Sequence, residues 1–79
     1  MEEILLLAES HISMAEAYQK VLDNPLSGMD ALATALVQIS IRAEKAINLV
    51  EPIARDAPLH DPTRLRVLNI IKRADCLWS

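Results

Sequence analysis

MDALATALVQISIRAEKAINLV, residues 29–50, carries apolar side chains at alternating three- and four-residue steps: Met29, Leu32, Leu36, Ile39, Ala43, Ala46 and Val50. An α-helix turns once every 3.6 residues, so this spacing holds one stripe toward a single neighbour over about six turns. Helices with such a stripe pack as hairpins, bundles or coiled coils. No comparable pattern points to chemistry, and binding is the function class that remains.

Working outward from this helix, Asp23, Asn24 and Pro25 end a preceding one, because proline disfavours helical geometry in the residue before it and turn-forming side chains compete for the backbone. The first helix therefore runs from Glu2 to Asp23. Ser27 is expected to cap the second helix, with Asp30 where a capping box places a carboxylate. Pro52 is expected to close or kink it, leaving Ile53, Ala54 and Arg55 as a short helical turn or a loop before Pro58. Asp61 followed by Pro62 marks a third start, since the missing proline N–H costs nothing at the first helical position. That helix extends to Leu77. The expected fold is all-α: one helical domain over residues 1–79, an antiparallel hairpin of two long helices plus a shorter third, completed as a homodimeric bundle.

Composition agrees with helix and limits what can hold it together. Phe is absent, Gly28 is the single glycine, Tyr18 and Trp78 are the aromatic residues, and Ala, Leu and Ile supply the apolar mass. Sheet proteins draw more on aromatics and glycine turns. A chain of 79 residues buries a small fraction of its surface, so its core is marginal unless something staples or doubles it. Cys76 alone forms no internal disulfide, and one Cys with two His builds no four-ligand zinc site. No uninterrupted apolar run of about 18 residues suggests a membrane span. Glu2 and Glu3 stand where a signal peptide carries positive charge, so a cytoplasmic location is expected.

The helix faces suggest more apolar surface than one neighbour covers. In the first helix, Ile4, Leu7, Ala8, His11, Ile12, Met14, Ala15, Tyr18, Val21 and Leu22 occupy about half the circumference, with Leu5 and Leu6 near its edges. Part of that arc is expected to be a dimer or partner interface. Val37 and Ile41 lie on successive turns outside the main stripe of the second helix, and Val67, Ile70, Ile71, Ala74, Leu77 and Trp78 share a face of the third. Charge is uneven: residues 1–30 carry six carboxylates against Lys20, whereas Arg64, Arg66, Lys72 and Arg73 gather near the other end. Such polarity can guide pairing between helices.

Catalysis has little to work with, and no catalytic, cofactor-binding or metal-ligating residue is assigned. His11 reads as a partly buried imidazole bonded to a neighbour rather than a switch or ligand. His60 and Asp61 resemble the dipeptide of metal-dependent phosphohydrolases, but the further His and Asp ligands are lacking, and Asp61 is better explained as a cap. Ser10 and Ser13 flank His11 without an oxyanion hole, and a single glycine makes no phosphate loop. Cys76 to Ser79 has the form of a prenylation box, although Leu77 and Trp78 also simply finish a helix face.

The expected function is therefore non-catalytic binding of a protein target, as an adaptor, chaperone-like cofactor or inhibitor, by a homodimer. Leu6, Val37, Ile41, Leu77 and Trp78 are the expected partner-binding anchors. The alternative is a DNA-binding transcriptional regulator using the basic third helix. Against it stand a net charge of −3 and a third helix rich in Leu65, Val67, Leu68, Ile70 and Ile71, where base readers would be polar.

Overall fold

Three helices follow one another in the computed structural model, which describes residues 2–56, 58 and 60–77: α1 (Glu2–Asp23), α2 (Met29–Asp56) and α3 (Pro62–Cys76). No strand occurs among the described residues. The ends of α1 and the start of α3 fall where the turn and cap residues place them. Asp61 accepts a hydrogen bond from the Thr63 amide at 2.8 Å, satisfying one of the donors a helix start leaves unpaired.

Ser27 acts differently from expectation, and at Pro52 one of two alternatives holds. The Ser27 hydroxyl does not cap α2 but donates back to the Val21 carbonyl at 2.7 Å, closing the end of α1. Gly28 takes the position before α2, its carbonyl accepting from the Leu32 amide at 3.0 Å. Pro52 does not end α2, and residues 53–55 take the helical alternative as part of the same helix, which continues to Asp56. Proline forfeits one hydrogen bond, to the Asn48 carbonyl. Pro52 and Asn48 are both exposed, so water can reach the carbonyl that is released. Beyond it, Ile53 packs into the core, Arg55 pairs with Glu51, and Arg64 donates to the Ala54 carbonyl at 2.6 Å.

Packing explains the antiparallel order of α1 and α2. Leu5, Ala8 and Ile12 share a buried cluster with Ala46, Val50 and Ile53, whereas Ala15 meets Ile39 and Ala43. Rising numbers in α1 therefore match falling numbers in α2. Val67, Ile70 and Ala74 join the first cluster, and Leu77 joins the second, so α3 runs alongside α1 in the same sense.

The buried stripe of α2 is Ala35, Ile39, Ala43, Ala46, Val50 and Ile53. It coincides with the sequence stripe only from Ile39 onward. Leu36 is half exposed and Met29 is 81% exposed, because α3 reaches Ile39 through Leu77 and covers nothing nearer the α1–α2 turn. The molecule is a rod of 45 × 19 × 15 Å. Its radius of gyration is 13.9 Å, against about 11.6 Å for a compact chain of this length. The accessible surface, 5295 Å², likewise exceeds the roughly 4,800 Å² of a compact monomer of this mass. No helix among the described residues is long and apolar enough to cross a membrane.

Ile12 is fully buried at the junction of the three helices. Ile12→Ala should cost about 2–5 kcal/mol by loss of burial and opening of a cavity. That is a large share of the roughly 4–12 kcal/mol available to a domain of this size. Leu26→Ala, at a residue 90% exposed, should change stability by less than about 0.5 kcal/mol. Urea titration followed by circular dichroism measures both, and equal midpoints for the two variants would contradict the packing described.

Candidate interaction surface

The seam between α1 and α2 is built largely from small residues: Ala8 and Ala15 on one helix, Ala35, Ala43 and Ala46 on the other, all 2% exposed or less. Bulky side chains consequently sit on the two flanks of the hairpin. One flank is covered by α3 and the other is open.

On the covered flank, Glu2, Glu9 and Glu16 recur every seven residues along α1, and Arg66 and Arg73 repeat the same step on α3. Arg66 donates from Nε to Glu9 at 2.7 Å and from Nη1 to Glu2 at 2.7 and 2.8 Å. Arg73 pairs with Glu16, its Nε at 3.3 Å from Oε2, and its Nη2 lies 3.5 Å from the Ser13 hydroxyl. Hydrogen bonds to Glu2 and Glu9 hold Arg66 above its ordinary pKa, and the bond to Glu16 does the same for Arg73. Both guanidiniums are thereby committed to α1.

On the open flank, Ile4, Leu7, His11 and Met14 follow the three- and four-residue spacing of a helix stripe. Leu7 is 49% exposed and Met14 40%, values that leave each about half its apolar surface in water. Opposite them on α2 stand Arg42, Lys45 and Leu49. Leu7, His11, Lys45, Asn48 and Leu49 line a shallow groove of about 300 Å³. Ile41, one turn before Lys45, carries apolar surface onto the outer side of α2.

His11 bridges the two helices across this flank. The Arg42 Nη1 donates to its Nδ1 at 3.1 Å, which requires that nitrogen to be unprotonated and puts the ring proton on Nε2. Burial lowers the His11 pKa below its ordinary 6.5, and the positive charges of Arg42 and Lys45 lower it further. Arg42 Nε is buried with no hydrogen-bond partner among the described residues. Neither Arg42 nor Lys45 belongs to an ion pair among the described residues.

The anchors expected from the sequence are not gathered on one surface. Leu6, Val37 and Ile41 are exposed, at 55%, 55% and 38%. Leu6 lies about 160° round α1 from Ala8, and Val37 about 180° round α2 from Ala46, so the two helices turn them away from each other. Leu77 is buried against Ala15, Ile39 and Ala43 and serves the core; its place beside the α1–α2 seam leaves it no exposed face to act as an anchor. Trp78 lies outside the described residues. Arg42 and Lys45 escaped sequence reasoning, because a cation with no carboxylate beside it is visible only once its neighbours are placed. The Ile4–Leu7–His11–Met14 spacing was present as a signal, merged with the wider arc.

No group of three or more His, Cys, Asp or Glu side chains that could hold a metal ion occurs among the described residues. Cys76 is exposed. No protein-family model, curated protein or solved structure matches this chain.

The lowered His11 pKa links stability to pH with a definite sign. Well above pH 6.5 the ring is neutral in both folded and unfolded chains, and its contribution is fully present. As pH falls below 6.5 the unfolded chain binds the proton first, so stability decreases until the folded-state pKa is passed. Urea midpoints measured from pH 7.5 to 5 should fall more steeply for the wild type than for His11→Gln. Parallel profiles would remove His11 from the linkage.

Proposed function

We propose that this chain is a non-catalytic protein–protein interaction module, an adaptor, chaperone-like cofactor or inhibitor that covers a surface on a larger protein. The observation that carries this reading is the open flank of the hairpin, where Ile4, Leu7 and Met14 stay exposed in helical register while α3 covers the opposite side. Apolar side chains in register supply binding energy, and rim charges set orientation and encounter rate. Ile41 borders this surface on the outer side of α2, whereas Val37, turned about 180° from Ala46, lies outside it.

Self-association as a homodimer is part of the proposal and uses a different region. Met29 and Leu36 belong to the α2 stripe yet are uncovered near the α1–α2 turn, where Leu26 is exposed as well. A second copy laid along this end would bury what α3 does not reach. The DNA-binding alternative loses weight from the basic residues themselves: Arg66 and Arg73 are held by α1 carboxylates and Arg64 donates to the Ala54 carbonyl.

Affinity capture from the native host tests the module. Ile41→Arg should abolish capture of a protein partner while leaving the helical circular dichroism signal nearly intact; if it unfolds the protein, Ile41 belongs to the core and the surface is misassigned. Light scattering should find a dimer at tens of micromolar that Leu36→Lys converts to monomer, and a wild-type melting temperature unchanged on dilution would rule the dimer out. In a mobility-shift assay, generic duplex DNA should show no steeply salt-dependent binding, and a clear shift that weakens as salt rises would reverse the order of the two functions.

A further inference from the structure

We propose that the open flank of the α1–α2 hairpin is a seat for an acidic amphipathic helix, whose apolar stripe lies on Ile4, Leu7 and Met14 and whose carboxylates face Arg42 and Lys45. The inference rests on the interaction-module reading above and names its partner by chemistry.

The hairpin itself shows how it takes a helix. On the covered flank α3 seats Val67, Ile70 and Ala74 against the seam and places Arg66 and Arg73 on the carboxylates of α1. The seat consists of apolar contacts at the centre and opposite charges at the rim. The open flank repeats the apolar part with the sign of the rim reversed: two cations on α2, one turn apart, with no carboxylate paired to either among the described residues. Arg42 spends one N–H on a neutral imidazole and keeps a buried Nε without an acceptor among the described residues. A partly buried guanidinium in that state is stabilised by an incoming anion more than an exposed, solvated one would be.

Helix is the form the occupant must take. The stripe from Ile4 to Met14 runs about 15 Å along α1, three turns in length, and a ridge laid between two antiparallel helices completes four-helix packing. An extended peptide would find no sheet edge to satisfy its backbone, since no strand occurs among the described residues. A second copy of this chain fits the charge less well, because its own open flank brings the same two cations.

The test uses two labelled peptides of three heptads, identical in Leu at the stripe positions, one with Glu and one with Lys at the flanking positions. Fluorescence anisotropy should show the Glu peptide binding the full chain at least tenfold more tightly than the Lys peptide. Lys45→Glu should weaken the Glu peptide at least tenfold and strengthen the Lys peptide, and Leu7→Ser should weaken both, with circular dichroism unchanged in each variant. Amide shifts on binding should cluster at residues 4–14 and 41–49. Equal affinity for the two peptides, insensitivity to Lys45→Glu, or shifts confined to α3 would overturn the proposal. So would conversion of a dimer to monomer by Leu7→Ser, which assigns the flank to a second copy, or Lys45-dependent sedimentation with phosphatidylserine vesicles without peptide binding, which assigns it to an anionic membrane. Capture of a host partner that Leu7→Ser and Lys45→Glu leave intact would overturn this inference alone, whereas failure of all capture would remove the interaction-module reading itself.

Discussion

Close approach of α1 and α2 through alanine is the constraint on which the rest of the molecule depends. With Ala8, Ala15, Ala35, Ala43 and Ala46 at the contact, the seam has little volume of its own. Burial of a methyl group stabilises far less than burial of a leucine or isoleucine side chain, at roughly 25 cal/mol per Å² of apolar surface. Two helices joined this way are too weak alone and must gain stability from their flanks. Leu5, Ile12, Ile39 and Val50, the larger buried residues of the pair, are covered because α3 completes the packing begun by the alanines. One of the two flanks is thus closed from within the chain.

Charge decides which way the closing helix lies. Apolar contacts between α3 and the hairpin are non-directional, and Val67, Ile70 and Ala74 would tolerate more than one register. The matching seven-residue steps of Glu2, Glu9 and Glu16 and of Arg66 and Arg73 tolerate fewer. These pairs are partly exposed, so each adds little stability, but a wrong register would leave carboxylates and guanidiniums opposite apolar surface. Part of the charge asymmetry visible in the sequence, Glu2, Glu9 and Glu16 against Arg66 and Arg73, is thus used inside the bundle, between α1 and α3.

The ends of α1, the cap of α3 and the shared face of Val67, Ile70, Ala74 and Leu77 were legible because each depends on a few neighbouring residues and on helical periodicity. Ser27 was misleading since its hydroxyl had two possible acceptors, the start of α2 and the end of α1, and only the fold of the turn selects Val21. Pro52 leaves an end and a continuation both open for a related reason: its local cost is real, and the tertiary contacts made by Ile53 and Ala54, which offset it, decide for continuation. The displaced stripe of α2, with Ala35 buried and Leu36 half exposed, depends on where α3 stops relative to α2. As for the candidate surface, its apolar half could be read from spacing, whereas its basic half emerges only from the pairing of α1 with α2.

The hydrogen bond from Arg64 to the Ala54 carbonyl makes the end of α2 dependent on α3. Pro52 has already removed one rung of the helix ladder just ahead of it, and Ile53 is buried in the same cluster as Val67. When α3 lifts away, residues 53–56 lose both their packing and the partner of a carbonyl together. The terminal turn of α2 and the whole of α3 therefore form one cooperative opening unit, and amide protons in the two segments should exchange with a common free energy, below that of the alanine-lined hairpin.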